Sequence, residues 1–265
     1  MTKKFDGAAM LRAAFTQGKV FIPFFTCGDP DLQTTVHCVC EAVAAGAKIV
    51  ELGIPFSDPT AEGPVIEAAS LRALSGGMTT DLAFVAVREI RQTHAIDVPI
   101  CFMTYANVVF SYGAEKFARQ CAETGVQGVI IPDLPFEERE EFLNVFDTYG
   151  IALISLIAPT SHGRIAMIAK EARGFIYLVS SLGVTGIRSE ITTDLSAIVD
   201  VIQANTDVPC AIGFGISRPE QAREMSGTAD GVIVGSAIVK LIHAAGVHAP
   251  EQVRQYVAEM TAAMC

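Results

Sequence analysis

Lys48-Ile49-Val50-Glu51-Leu52-Gly53, KIVELG at residues 48–53, is a strand-length apolar run with a single acid set into it. Its apolar residues follow one another instead of alternating with polar ones, the pattern of a strand covered on both faces in a parallel sheet. The same pattern recurs along the chain, first in VFIPFFT (20–26), then in VPICFMT (98–104), GVIIPD (128–133), IALISLI (151–157), FIYLVSS (175–181), VPCAIGF (208–214) and GVIVG (231–235). Amphipathic segments lie between these runs, clearest at 31–45, 80–94, 113–124, 137–149, 162–173 and 194–205. Thr80 and Asp194 stand where helix caps are expected, before DLAFVAV and LSAIVDV.

Alternating strands and helices specify βαβ units. Eight such units in 265 residues suit a closed (β/α)8 barrel, whereas a doubly wound open sheet, the alternative, usually has fewer strands. The expected class is α/β: a (β/α)8 TIM barrel with an extra N-terminal helix near 8–16 and an extra short helix after strand two, near 65–73. No Gly/Ser-rich linker or charge block divides the chain, so residues 1–265 read as a single barrel domain.

Composition bounds the function. An apolar content of 51% is ample for a core, and a net charge of -10 disfavours a sequence-independent grip on nucleic acid, which needs a basic face. Mean hydropathy is +0.40, yet no apolar run approaches the ~18–20 residues of a membrane-spanning helix, so the excess belongs to the core. MTKKFDG at the start has no apolar stretch behind its lysines of the kind a secretory signal carries, and the cytoplasm is expected. The 7 cysteines are scattered through apolar segments with no CxxC pair, and the 5 histidines form no HxxxH or HxH, so no metal is expected.

In a barrel, chemistry collects where strands end and βα loops begin. Glu51 closes the second strand and should point into the mouth or the upper barrel layer. A carboxylate there is costly unless it is bonded to neighbouring groups or its proton affinity is put to use. The loop that follows, IPFSDPTAEGP, carries Asp58 and Glu62 and is too long for a minimal connection. At the other end of the chain, GFGIS (213–217) follows strand seven and GSAIVK (235–240) follows strand eight and opens a helix. Glycine turns and a helix start suit an anion, and this pair of loops is the common phosphate site of barrels. SSLGVTG (180–186) has the glycines of a mobile flap over the same pocket. None of the lysines (3, 4, 19, 48, 116, 170, 240) ends a strand, which removes the central residue of a Schiff-base aldolase. Acid–base catalysis by carboxylates on a phosphorylated substrate remains.

PFFTCGDP (23–30), ELGIPFSDPTAEGP (51–64), MTYAN (103–107), PDLPFEE (132–138), GVTG (183–186), GFGIS and GSAIVK, in this order, resemble the tryptophan synthase α subunit family over essentially the whole chain. The resemblance implies retro-aldol cleavage of indole-3-glycerol phosphate to indole and glyceraldehyde 3-phosphate. It also implies an α2β2 complex in which indole passes to a β subunit that carries pyridoxal phosphate, with no cofactor in this chain. By the same resemblance Glu51 is the acid–base residue and Tyr177 its neighbour, while Phe24, Tyr105, Ile130 and Phe214 wall the indole pocket. Gly186, Gly215, Gly235 and Ser236 cradle the phosphate, Thr185 organises the closed flap, and Asp58 takes part in closure and communication with β. The chain departs from the family at Glu62, where the motif has aspartate facing the ring nitrogen. Two further readings follow from that departure or stand beside it: a regulatory subunit weakened by Glu62 that mainly activates β, and a lyase acting without a partner.

Overall fold

A computed structural model describes residues 5–180, 195–213 and 215–264. Helix α1 (Gly7–Ala14) is capped by Asp6, whose carboxylate accepts the Ala9 N–H at 2.9 Å, and runs into a 3-10 turn at Phe15–Gln17. Strand β1 (Val20–Thr26) leads to α2 (Leu32–Ala44), and β2 (Val50–Gly53) leads to α3 (Pro64–Ser75) and α4 (Thr80–Gln92). Next come β3 (Ile100–Met103), α5 (Ala106–Tyr112), α6 (Ala114–Thr124), β4 (Gly128–Ile130) and, after a 3-10 turn at Phe136–Glu138, α7 (Glu140–Tyr149). The segment at 152–157 is in two pieces, β5 (Ala152–Leu153) and β6 (Ser155–Ile157), followed by α8 (His162–Lys170) and β7 (Ile176–Val179). Then follow α9 (Leu195–Gln203), β8 (Cys210–Gly213), α10 (Pro219–Thr228), β9 (Gly231–Val234), α11 (Ser236–Ala245) and α12 (Ala249–Ala263).

Every pairing is parallel, in the order β5-β4-β3-β2-β1-β9-β8-β7-β6. The two ends of this 9-stranded sheet are β5 and β6, which are consecutive in the chain and separated by Ile154 alone. The sheet therefore curls until its ends meet in one strand, and the fold is a (β/α)8 TIM barrel; the two extra helices the sequence announces, α1 and α3, are present, accompanied by α5 after β3 and by a second helix after β9, which it does not announce.

The strands divide two cores by alternation. Val20, Ile22, Phe24, Ile49, Met103, Phe175, Tyr177 and Ile233 fill the barrel interior, while their neighbours Phe21, Phe25, Val50, Leu52, Phe102, Ile176 and Val232 meet the helices. Both faces are apolar, which is why the runs do not alternate in sequence. Leu11 on α1 belongs to the interior core and plugs the amino end: a Cβ on Gly128 would lie 3.0 Å from it. On the outside α12 packs on α2, with the Thr261 hydroxyl donating to the Ala45 carbonyl at 3.1 Å. No helix among the described residues is long and apolar enough to cross a membrane.

The helix starts correct one expectation. Thr79, not Thr80, caps α4: its extended backbone lets its hydroxyl accept the Leu82 N–H at 3.2 Å, so Thr80 is already helical. Asp194 lies outside the described residues.

Candidate active site

Alternation along β2 turns Ile49 and Glu51 inward and Val50 and Leu52 outward. Glu51 stands level with Phe24 on β1 and Cys101 on β3, and is 1% exposed. Burial raises its carboxyl to about 8, with the charge of Glu62 adding to the rise. Glu62 arrives from a different element, the loop that ends at Gly63 and Pro64, where α3 begins. Its carboxyl is raised to about 7, first by burial; bonds to the backbone of Glu62 and Ala61 pull it down, and Asp133 pushes it up. One oxygen of each acid, Oε2, is buried with no hydrogen-bond partner among the described residues. An unpaired buried acceptor costs about 1–3 kcal/mol, a cost that a fold retains where the group is put to chemical use.

Tyr177 on β7 faces the same space, its phenol raised well above the usual range by burial first and then by the charges of Glu51 and Glu62. Its ring lies across Gly213: a Cβ there would fall 2.5 Å from the phenol oxygen, so a side chain at 213 would evict the tyrosine. Opposite the acids, Gly215 takes φ +81, a left-handed conformation that glycine adopts freely. Gly235 caps α11 and Ser236 starts it, so the helix presents free N–H groups and its positive dipole end to the cavity.

Phe24, Glu51, Glu62, Tyr177, Gly215, Gly235 and Ser236 line one cavity, together with Ile66, Met103, Ile216 and Ile233. Strands from opposite sides of the barrel thus bring together the residues the motifs singled out. Ile233 was foreshadowed by its place two residues before Gly235 on an inward-facing line. Met103 opened the MTYAN motif, but nothing in the local sequence marks Ile66 as a cavity wall.

The other expected residues are not among those that line this cavity. Tyr105 is buried, but its hydroxyl accepts the Ala61 N–H at 3.1 Å and its ring packs on Phe56 at 5.1 Å, so it props the Glu62 loop. Ile130 lies in the interior core, paired in register with Met103. Asp58 is exposed, where it accepts the Ser57 hydroxyl at 2.5 Å. Thr185, Gly186 and Phe214 lie outside the described residues. Met103 and Ala61 also border a second, larger cavity that runs out between α7 and α8, past Leu156 and Val179.

Two buried acids, one raised to about 8 and the other to about 7, that share a cavity with an anion-favouring helix start define a barrel enzyme of the acid–base class, acting on a small anionic substrate. The family model described as tryptophan synthase alpha chain matches residues 11–264. The tryptophan synthase alpha chain of Lacticaseibacillus casei is 50% identical over 254 residues, covering 96% of this chain and 95% of that one. That of Lactiplantibacillus plantarum is 53% identical over 233 residues, 88% of each. The crystal structure of tryptophan synthase subunit alpha from Legionella pneumophila superposes with a TM-score of 0.88 at 34% identity, covering 98% of both chains. The chain belongs to the tryptophan synthase alpha chain family, the lyases that cleave indole-3-glycerol phosphate.

Proposed function

We propose that in this chain Glu51 carries the proton transfers of the cleavage and Glu62 offsets the charge that develops on the indole ring. Protonated Glu51 gives its proton to ring carbon C3, which makes an indolenine with positive charge on the ring nitrogen. The Glu62 carboxylate faces that nitrogen and stabilises the charge. Glu51, now ionised, accepts the proton of the glycerol hydroxyl next to C3. The carbon–carbon bond breaks, its electron pair returns to the ring as indole forms, and the hydroxyl carbon becomes the aldehyde of glyceraldehyde 3-phosphate. An acid raised to about 8 is a donor at neutral pH and a competent base once it has given up its proton. Tyr177, beside both acids, keeps its phenol proton and orients the pair.

The observation that carries this reading is that both acids and the Gly235–Ser236 helix start line the same cavity. The phosphate rests on Gly215, Gly235 and Ser236; Gly186 and Thr185, which the resemblance assigns to the same cradle and its flap, lie outside the described residues. The ring lies toward Phe24 and Met103. Every step runs through side chains of this chain, and no cofactor is assigned to it. Glu51→Gln is expected to abolish indole release, a loss of at least about 10³-fold, and to leave glycerol 3-phosphate binding within about two-fold. Retained cleavage in that variant overturns the assignment.

The partner we propose is a tryptophan synthase β subunit, with its own pyridoxal phosphate, docked over the mouth in an α2β2 complex that receives the indole. Phe110 on α5, which follows β3 at the mouth, is 53% exposed and packs its ring at a tilt against Phe142, centroids 4.6 Å apart, an aromatic suited to such an interface. Asp58 at the rim would take part in communication with it. Residues 1–265 act as one barrel domain, and the cytoplasm is the compartment we assign. Nothing in the geometry favours the regulatory reading, since Glu62 lines the cavity beside Glu51.

A further inference from the structure

Glu51 sits on β2 and Glu62 on the loop entering α3, so neither element alone fixes the distance between the acids. One closed path of bonded groups spans them. Two residues beyond Glu51, the Gly53 carbonyl accepts the Cys27 N–H at 2.9 Å, tying the end of β2 to the loop after β1. That loop is held from within: the Asp29 N–H donates to the Thr26 carbonyl at 3.3 Å, and the Gly28 N–H to the Thr35 hydroxyl at 3.0 Å. Arg72 then grips the Asp29 carboxylate with both arms of its fork, Nε at 2.8 Å from one oxygen and Nη2 at 2.7 Å from the other. The Asp29 side chain is 2% exposed and that of Arg72 32%. Arg72 lies in the last turn of α3, and the first turn of the same helix starts two residues after Glu62.

A bidentate pair fixes orientation as well as distance, and a buried carboxylate deprived of its partner must move or take up a proton. A helix is a stiff rod, so what holds its last turn sets the attitude of its first. We infer that Asp29 and Arg72 are a positioning pair, which through α3 sets the reach of Glu62 toward Glu51 and the reacting ring. Glu62 is one methylene longer than the aspartate of the family motif, so its useful reach depends on where α3 is held. The front of the loop has its own tether, the Ala61 N–H on the Tyr105 hydroxyl, which leaves Asp29–Arg72 to hold the rear.

The inference rests on the assignment of Glu62 above, and a double-mutant cycle separates the two. Arg72→Lys, Arg72→Ala and Asp29→Asn are measured for kcat, KM and glycerol 3-phosphate affinity, alone and with Glu62→Gln. Since a misplacement of about 1 Å can cost ~10²-fold, Arg72→Ala is expected to lower kcat about 10- to 100-fold, and Arg72→Lys by somewhat less. Glycerol 3-phosphate affinity should stay within about two-fold, because α11 holds the phosphate. On the Glu62→Gln background the Arg72 changes should cost less than about two-fold more, because the group they position is gone. If they multiply the Glu62→Gln loss by their full factor, the positioning role is refuted and the Glu62 assignment stands. If Glu62→Gln alone leaves kcat unchanged, the assignment itself fails and this inference with it. Should Arg72→Ala not fold, Arg72→Lys, which keeps the charge and loses the fork, takes its place in the cycle, and the same two outcomes support or refute the positioning role.

Discussion

A carboxyl buried like that of Glu51 lowers stability once it must ionise. Its ordinary value is 4.5 and burial lifts it to about 8 in the folded chain. Below pH 4.5 both folded and unfolded chains hold the proton and nothing is lost. Between 4.5 and about 8 the unfolded chain ionises while the folded one does not, so stability falls as pH rises through that window and levels off above it. Glu51→Gln removes the penalty: its stability relative to the parent, measured by urea unfolding, should improve by about 3 kcal/mol between pH 5 and pH 8. A flat difference would mean that Glu51 ionises freely in the folded state. Glu62 poses a matter of length instead of charge. If α3 is set for a glutamate, Glu62→Asp should withdraw the carboxylate by about one methylene and lower kcat about 10- to 100-fold, read by indole release. A rise in turnover would mean that the glutamate is a handicap here.

Among the elements, α1 shows how a segment outside the repeating units can still belong to the barrel. Leu11 is 0% exposed and belongs to the interior cluster with Val20, Ile49 and Phe175 at the amino end, remote from the cavity. Leu11→Ala should cost about 2–5 kcal/mol of unfolding free energy, because the hole it leaves is ringed by strands that cannot collapse into it. Turnover of the folded fraction should be unchanged, so a matching fall in kcat would show that the plug steers the mouth. The division of labour follows barrel logic: the amino end holds the fold together and the carboxyl end does the chemistry.

For the whole molecule, the exposed aromatic at the mouth ties the barrel to its proposed partner. Phe110→Asp replaces an apolar anchor with a charge on a residue that is 53% exposed, so the isolated chain should fold normally. Its complex with a β subunit, followed by size-exclusion or calorimetry, should weaken at least about ten-fold. Unaltered affinity would place the interface elsewhere. The barrel's closure is itself a property of the whole: β5 and β6 pair with different neighbours, β4 and β7, and Ile154 between them marks the seam.

The strands, their order and the acid at the end of β2 were legible because each is written in local pattern: apolar runs, helix-length spacers, motifs at strand ends. The cap of α4 falls one residue earlier than its sequence suggests because two adjacent threonines offer the same hydroxyl and backbone geometry chooses between them. Helices α5, α10 and α12 stood apart from the clearest amphipathic segments, being short, polar or interrupted by small residues. The arrangement of the site belongs to the tertiary structure. That Tyr105 supports a loop, that Ile66 walls the cavity, and that Asp29 and Arg72 join across 43 residues all depend on elements meeting in space. Sequence determines which residues face inward, because that follows from the two-residue period of a strand. Only the closed barrel decides which of them meet, because that depends on how far the sheet curls before its ends join.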